Sequence, residues 1–417
     1  MPYVHRRVED RVTEALGDTR VVIVNGARQV GKSTLVHRLI SDVPGAVERR
    51  LDRASDRDAA TRDPDGFVEH NGLLAIDEVQ RVPDLMLAIK ARVDETPRPG
   101  SFLLTGSARL LGLRSLPDAL VGRSETIELW PFSQGEIEGT PEGFVDVILR
   151  DDLDQGALGS SIGSSEDPNL LMRAARGGFP EAVERDTRRR ARFFDAYLND
   201  LIDRDVAQLA EIQRRDQLRR LLTALAARMA APLVIDRLAS DLALPAPTVE
   251  RYVSLLEEVF LIKRIPPWSA ATTQRAVRQR KLMFVDTGLA THLAGLSPER
   301  ARREPSLAGP IIENFVLGEL ARALTWSDAL ATLHHYRTRD GEEVDAVIER
   351  QDGQIVGIEV KAARTVRDED FRHLRSLQRR VPDHFHAGIV LYAGDSVFPF
   401  GPHMLAIPIR ALWHASA

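Results

Sequence analysis

The stretch from Val21 to Thr34, VVIVNGARQVGKST, has residue types and spacing that suit phosphate chemistry. Residues 26–33 fit the pattern G-x-x-x-x-G-K-[ST], in which two glycines let backbone amides turn toward an anion. Lys32 would contact the β and γ phosphates of a nucleotide, and Ser33 would ligate Mg²⁺. We therefore predict an ATP and Mg²⁺ site formed by Gly26, Ala27, Arg28, Gln29, Val30, Gly31, Lys32, Ser33 and Thr34.

Two adjacent acids end a second apolar strand that begins at Leu73. Beside a phosphate-binding loop, Asp77 would hold the Mg²⁺ shell and Glu78 would polarise the attacking water. The plainer interpretation is a pair of capping acids at a strand end. The loop upstream favours the catalytic interpretation.

Three further residues are candidate contacts of the γ-phosphate. A third apolar strand from Phe102 ends in hydroxyls, and in P-loop ATPases such a strand lies between the first two. Thr105 or Ser107 would then sense the γ-phosphate, and the sequence does not choose between them. Arg123, just before the next strand at 126–130, is an equally good γ-phosphate contact or surface arginine.

A second set of chemical side chains lies near the carboxyl terminus, with Asp345 on one strand and Glu359 and Lys361 on the next. A three-residue loop ending in Gly353 sets a register that places Asp345 opposite Glu359. That register also gathers the apolar residues of both strands on the other face. The pattern therefore brings two carboxylates and an ammonium group together.

An Asp followed by Glu-x-Lys is the constellation of metal-dependent nucleases. The carboxylates would hold the metal, and Lys361 would stabilise developing charge or orient water. Glu313, in the first turn of a helix predicted to start at Gly309-Pro310, would complete the metal site. The alternative is a solvated sheet face with a cross-strand ion pair and no metal, and whether cleavage is retained stays open.

The remaining elements predict how these sites are positioned. Alternating strands and helices in residues 1–150 predict a parallel sheet with helices on both faces and the nucleotide at the carboxyl ends of its strands. Residues 151–168, rich in Gly, Ser and Asp, read as an insertion or linker, and the helices that follow, to about 210, as a lid. Residues 215–268 have the element order of a winged helix, with a basic patch at 275–281. DNA binding and packing within the chain both suit such a module.

Composition sets the outer limits. The 417 residues are 43% hydrophobic and 28% charged, which is typical of a folded protein with several domains. The absence of cysteine excludes disulfides, thiolate catalysis and cysteine-ligated zinc. No apolar run suits a membrane span or signal peptide, so we expect a cytoplasmic protein with no membrane partner. A net charge of −5 gives no global nucleic-acid signature.

The order of these motifs resembles prokaryotic AAA+-type P-loop ATPases fused to a winged helix and a restriction-endonuclease-like C-terminal domain. The matching stretches include GARQVGKSTL, LLAIDEVQ, LLTGSARL, LVGRSETIELWPFS, GGFPEAV, TVERYVSLLEEVFLI and EVDAVIE…IEVKAA. The resemblance implies an α/β fold with a Mg²⁺-dependent ATPase domain at 1–150, the insertion and lid at 151–210, the winged helix at 211–280 and the nuclease-like domain at 281–417. It supplies no substrate.

Two functions follow from this organisation. In the first, the ATPase couples nucleotide state to a nuclease-like domain that acts on or with nucleic acid. In the second, the chain is a non-nucleolytic, ATP-gated switch whose winged helix and silent nuclease-like fold bind protein or DNA. DNA or RNA, a protein partner and self-association are all left open.

Overall fold

The computed structural model describes residues 3–106, 120–151, 169–206, 215–270 and 279–416, with residues 204–206 by backbone alone. The predicted insertion therefore lies almost wholly outside the described residues. Within them, none of the helices combines the length and the apolar character needed to cross a membrane.

The amino-terminal part is a five-stranded parallel sheet with the order β2-β3-β4-β1-β5. β4 lies between β1 and β3, as predicted. The last strand begins two residues earlier than predicted. The elements are α1 (Glu9–Asp18), β1 (Val21–Asn25), α2 (Lys32–Ser41), β2 (Val47–Arg50), α3 (Ala54–Arg62), α4 (Pro64–Val68), β3 (Leu74–Asp77), α5 (Leu85–Glu95), β4 (Phe102–Gly106) and β5 (Ser124–Glu128).

β1 is buried along its whole length because helices cover both faces of the sheet. Val22 and Val24 pack in the core that contains the apolar residues of α1 and α2. Val21 and Ile23 pack in a second core with the apolar side of α5. A strand buried on both faces reads as a continuous apolar run, which is why VVIV predicted it.

The middle of the chain is helical. Its helices are α6 (Gln134–Glu138), α7 (Phe144–Ile148), α8 (Leu170–Arg176), α9 (Pro180–Val183), α10 (Thr187–Asp200) with a π-helical turn (Leu201–Val206), α11 (Arg215–Ala226), α12 (Ile235–Leu242) and α13 (Ala246–Glu258). α8 and α10 were predicted to form a lid over the nucleotide. α8 packs mainly against helices of residues 287–323, whereas α10 packs mainly against its own π-helical turn and α9, and the lid stays a prediction.

The helices α11 to α13 are followed by an antiparallel pair, β6 (Ile262–Ile265) and β7 (Lys281–Phe284). Three helices and a hairpin are the elements expected of a winged helix, and that assignment stays a prediction. The hairpin crosses the predicted domain boundary, because β7 begins at the residue where the nuclease-like domain was expected to start. A fragment of residues 281–417 would therefore contain β7 without its partner strand β6.

The carboxyl-terminal part is a mixed six-stranded sheet with the order β12-β13-β11-β10-β9-β8. Its elements are α14 (Thr287–Leu293), α15 (Pro298–Arg303), α16 (Pro305–Ala323), β8 (Ala331–Arg337), β9 (Glu343–Arg350), β10 (Ile355–Lys361), α17 (Arg372–Arg380), β11 (Phe385–Tyr392), β12 (Phe398–Pro399), β13 (Met404–Pro408) and α18 (Ala411–His414).

The predicted start of α16 was wrong. The helix begins at Pro305, and Pro310 lies inside it, so Glu313 is in the middle of the helix and not in its first turn. Pro305 takes the first helical position, where a missing N–H costs nothing. Pro310 forgoes one backbone hydrogen bond in a helix that is largely buried, and packing tolerates this loss.

Candidate functional site

The loop after β1 has the backbone shape of a phosphate cradle. Gly26 has a φ of 148°, and a Cβ there would lie 2.1 Å from the carbonyl oxygen of Leu129. Gly31, with a φ of 97°, leads into α2, so the loop ends at a helix N-terminus. The Lys32 ammonium is buried and donates to the carbonyl oxygens of Gly26 and Ala27, at 3.0 and 2.8 Å. Those contacts hold the ammonium inside the loop.

Two side chains, one from the first turn of α2 and one from the end of β3, meet at the predicted Mg²⁺ position. The Ser33 hydroxyl lies 3.0 and 2.9 Å from the two carboxylate oxygens of Asp77. Asp77 is only 4% exposed, at the carboxyl end of β3. A hydroxyl and a carboxylate are the oxygen ligands that Mg²⁺ prefers, so these residues fit the ion.

Thr105 holds in place both Asp77, the last residue of β3, and Glu78, which follows it. Its buried hydroxyl donates to Asp77 Oδ1 and accepts a 3.0 Å hydrogen bond from the backbone N–H of Glu78. Glu78 itself has left-handed backbone angles, φ 59° and ψ 44°. Gln80, which the sequence analysis missed, donates its side-chain amide to the Glu78 carboxylate. The polar tip of β4 thus orients the predicted catalytic acid.

Arg6 is a second residue that sequence reasoning missed. Its buried guanidinium donates to the carbonyl oxygen of Val30 at 2.8 Å and to that of Trp130 at 2.6 Å. It also forms a 3.0 Å ion pair with Glu136. Three acceptors from three segments surround one planar donor, so Arg6 supports the phosphate loop from outside. An arginine near the chain start gives no local signal of such a role.

Arg123 does not lie near the phosphate loop. It precedes β5, and its carbonyl oxygen accepts from the N–H of Val21, at the amino end of β1. The loop follows the opposite end of β1, about 13 Å away at 3.3 Å per residue. Arg123 instead forms an exposed ion pair with Asp94. A γ-phosphate contact within the same chain does not fit this geometry, and Ser107 lies outside the described residues.

The predicted register of the carboxyl-terminal hairpin is confirmed. The ladder ends with Ile358 paired to Ala346, and the same register continued by one residue places Glu359 opposite Asp345. Gly353 has a φ of 85°, the left-handed value that the three-residue loop required. The backbone N–H of Val360 donates to Asp345 at 2.9 Å. The two carboxylates therefore lie on one face of the sheet.

A buried lysine that was not among the predicted site residues occupies this cluster. The Lys281 ammonium lies 2.5 Å from Glu313, 3.0 Å from Glu343 and 3.4 Å from Asp345. Its side chain is 0% exposed. The sequence analysis placed Lys281 in a basic patch beside the winged-helix module, but its side chain is buried among the acids of the carboxyl-terminal part. Lysine is scarce in the chain, and that scarcity was the available signal.

The electrostatics of the cluster follow from burial and from the neighbouring charges. Burial acts to lower the pKa of Lys281, but Glu313, Asp345 and Glu343 outweigh it and raise that pKa. Burial, with the Asp345 charge, raises the pKa of Glu313 to about 8. The same two causes raise the pKa of Glu359. The ammonium therefore stays charged, and Glu313 and Glu359 hold protons more strongly than usual.

The predicted carboxyl-terminal metal site does not fit this arrangement. One buried oxygen of Glu359 lacks a hydrogen bond, while the carboxylate lies 3.7 Å from Lys361 and 3.8 Å from His373. Among the described residues, however, no three His, Asp or Glu side chains are arranged to hold a metal ion. Glu313 and Asp345 face an ammonium group.

Three family models match separate parts of the chain. Residues 18–138 match an AAA domain, residues 168–300 a domain of unknown function (DUF8612), and residues 308–412 a domain of unknown function (DUF4143). The first match, with the parallel sheet and its loop, shows an AAA-type P-loop domain at the amino-terminal end.

Solved structures give a weaker likeness. A Thermotoga maritima RuvB Holliday junction branch migration motor is 19% identical and covers 62% of this chain and 89% of its own, with a TM-score of 0.29. AMPPCP-bound DnaA from Aquifex aeolicus is 13% identical, covers 60% and 86%, and has the same TM-score. At this TM-score the likeness supports no conclusion about fold or function.

Two curated proteins match nearly the whole chain. They are uncharacterized protein Rv2008c of Mycobacterium tuberculosis and uncharacterized protein Mb2031c of Mycobacterium bovis. Each is 31% identical over 406 residues, which are 95% of this chain and 82% of the relative. This chain, an AAA domain followed by two domains of unknown function, therefore belongs to the same family as these two mycobacterial proteins.

Proposed function

We propose that this chain binds ATP with Mg²⁺ and hydrolyses it in its amino-terminal domain. The observation that carries the proposal is the contact between Ser33, in the first turn of α2, and Asp77, at the end of β3, beside a loop that holds a buried lysine. Ser33 and Asp77 would hold Mg²⁺, which supplies charge neutralisation for phosphoryl transfer. Lys32 and the loop amides would bind the phosphates, and Glu78 would orient the attacking water.

The contacts of Glu78 support its role as the residue that positions water. Thr105 fixes its backbone N–H, and Gln80 donates to its carboxylate, so the side chain has a defined direction. Thr105 would contribute to ATP hydrolysis indirectly, by holding Glu78 and Asp77 in position. We propose either Thr105 or Ser107 as the residue that senses the γ-phosphate.

We further propose that nucleotide state acts on the carboxyl-terminal part of the chain, which works as a switch and not as a nuclease. The Lys281 ammonium among the carboxylates favours the non-nucleolytic interpretation. Arg6 joins the phosphate loop to Glu136, and the neighbouring Gln134 joins Glu319 of α16 by a 3.0 Å hydrogen bond. DNA, RNA or a protein is the proposed partner of the three-helix module, on the strength of its winged-helix element order.

The test is phosphate release from ATP by the full chain. The expected result is hydrolysis that requires Mg²⁺ and is lost in Asp77→Asn, because the amide removes the charged metal ligand. Asp84→Asn, an exposed change in the segment that follows, is the matched control and should hydrolyse ATP normally. Full activity of Asp77→Asn, or no hydrolysis by the unaltered chain with ATP and Mg²⁺, would contradict the proposal.

A further inference from the structure

Lys281 reaches the carboxyl-terminal acids from a different structural module. It is the first residue of β7, which belongs to the hairpin that follows α13. Glu313 comes from α16, and Glu343 and Asp345 come from β9. One ammonium group therefore joins a hairpin, a helix and a sheet.

The backbone on both sides of Lys281 leaves it little freedom to withdraw. In the ladder, Lys281 pairs with Ile265 on one side and forms a bridge with Pro232 on the other. The N–H of Leu282 donates to the carbonyl of Ala231 at 2.9 Å, and that of Leu233 donates to Arg280 at 2.8 Å. β7 is thus held between two segments, and its lysine is held with it.

The hairpin is also bonded to the carboxyl-terminal sheet at His335 of β8. The backbone N–H of His335 donates to Pro266 at 3.0 Å, and its carbonyl accepts from Trp268 at 2.6 Å. Its imidazole Nε2 lies 3.0 Å from the carbonyl of Gln279. Both arms of the hairpin are therefore anchored beside the acid cluster.

The carboxylate oxygens of the cluster have partners that compete with a metal. Asp345 uses one oxygen for the N–H of Val360 and turns the other toward Lys281. Glu343 contacts Lys281 with one oxygen and Arg337, at 3.1 Å, with the other. A divalent ion placed among these oxygens would lie within a few ångströms of a buried ammonium, where like charges repel strongly.

We propose that the Lys281 ammonium is the permanent cation of the carboxyl-terminal acid cluster, which consists of Glu313, Glu343, Asp345 and Glu359. With this cation in place, the cluster excludes divalent metal and joins the hairpin to the C-terminal sheet. This inference does not depend on ATP hydrolysis. It assigns the ammonium the place that the sequence pattern reserved for Mg²⁺ or Mn²⁺. Removing the opposite charge from such a group of buried acids would leave their charges uncompensated, which is strongly destabilising.

The test is Mn²⁺ titration of the full chain without nucleotide, followed by the EPR signal of free Mn²⁺. Every sample carries Asp77→Asn, which removes the metal ligand of the phosphate loop. With Lys281 in place we expect no Mn²⁺ binding that depends on Glu359. In Lys281→Met, whose side chain has similar length and no charge, we expect one Mn²⁺ site. Its affinity should be at least about tenfold higher than that of any Mn²⁺ binding by the form that keeps Lys281. Adding Glu359→Gln should abolish this site.

Two further variants keep the test decisive. Lys281→Met combined with Glu343→Gln preserves the net charge of the cluster and keeps Glu313, Asp345 and Glu359, so it serves where the single change fails to fold. Lys263→Met removes the lysine of the partner strand and should gain no Mn²⁺ site. Glu359-dependent Mn²⁺ binding with Lys281 in place would overturn the proposal, whether or not either variant folds. A folded Lys281→Met form, with or without Glu343→Gln, that gains no Mn²⁺ site would overturn it too.

Discussion

The Lys32 ammonium is buried under the turn of the phosphate loop, where it donates to two backbone carbonyls of that loop. The phosphates of a nucleotide bound in the loop would be counter-ions for this ammonium group. A compact ammonium on a flexible stem suits this place better than the planar guanidinium that this chain uses almost everywhere else.

We expect Lys32→Ala to weaken ATP binding by about 100-fold or more, because charge-assisted hydrogen bonds worth roughly 1.5–3 kcal/mol each are lost. Calorimetric titration of ATP measures this, and circular dichroism checks that the fold survives. Lys90→Ala, on α5, is the matched control. Unchanged ATP affinity in Lys32→Ala would refute the assignment of this loop.

The Glu78 carboxylate has a different role, since it lies one residue beyond the Mg²⁺-side acid Asp77. We expect Glu78→Gln to keep ATP bound while turnover falls by roughly 10²–10⁴-fold, the usual contribution of a positioned acid or base. Single-turnover hydrolysis measures the chemical step, with exposed Glu69→Gln as control. Turnover at the unaltered rate would assign the role to another residue.

At the scale of elements, the sequence predicted most strands because their patterns are local. The register of β9 and β10 followed from apolar alternation and one glycine, and a one-residue slip would have exposed Ile348 and Val356. The start of α16 was misplaced because both Pro305 and Pro310 are acceptable first helical residues. Lys281 was missed because its acid partners lie 32 to 64 residues away, where no periodicity connects them.

The short helix α6 is anchored by two acids. Glu136 forms a capping box with Ser133, and Glu142 accepts from the Ser133 hydroxyl at 2.9 Å and from the N–H of Gly135 at 3.0 Å. Burial, with the charges of Glu319 and Glu136, raises the pKa of Glu142 to about 8. The folded chain therefore holds a proton on Glu142 that the unfolded chain loses near pH 4.5.

This difference makes a pH prediction with a definite sign. Because the folded state binds the extra proton, the free energy of unfolding should fall as pH rises from about 4.5 to about 8, by up to about 1.4 kcal/mol per pH unit from this group. Glu142→Gln mimics the protonated acid and should flatten that slope. Denaturant unfolding across this range measures it, and Glu125→Gln, an exposed change, should leave the slope as it is.

At the scale of the whole molecule, a series of buried polar contacts runs from the phosphate loop to the carboxyl-terminal part. Arg6 bonds Val30 of the loop and Glu136 of α6. From the same helix, Gln134 bonds Glu319 of α16. Next along α16, Arg322 pairs with Glu319 and donates to the carbonyl of Val285, just beyond β7. Contact alone does not establish coupling, which needs a measurement.

Hydrogen exchange of the Glu78→Gln form, with and without ATP, supplies that measurement. We expect ATP to slow amide exchange in residues 26–34 and also in residues 311–323 of α16, because ordering the loop would stabilise Arg6 and the contacts beyond it. Adding Arg6→Lys leaves one donor group where the guanidinium served three acceptors. Slowing should then persist in the loop and disappear in α16.

Arg11→Lys is the matched control for this last prediction. Arg11 also joins the amino-terminal helix to the carboxyl-terminal part, through the Ser327 carbonyl at 2.7 Å and Asp328 at 3.1 Å. Its side chain is 29% exposed, and Asp328 is almost fully exposed, so solvent screens the pair. The ATP effect on α16 should survive in this variant. The contradicting result concerns the Glu78→Gln form with both arginines unaltered. If ATP slows amide exchange there in the amino-terminal parallel sheet alone, ATP binding does not reach α16 through Arg6.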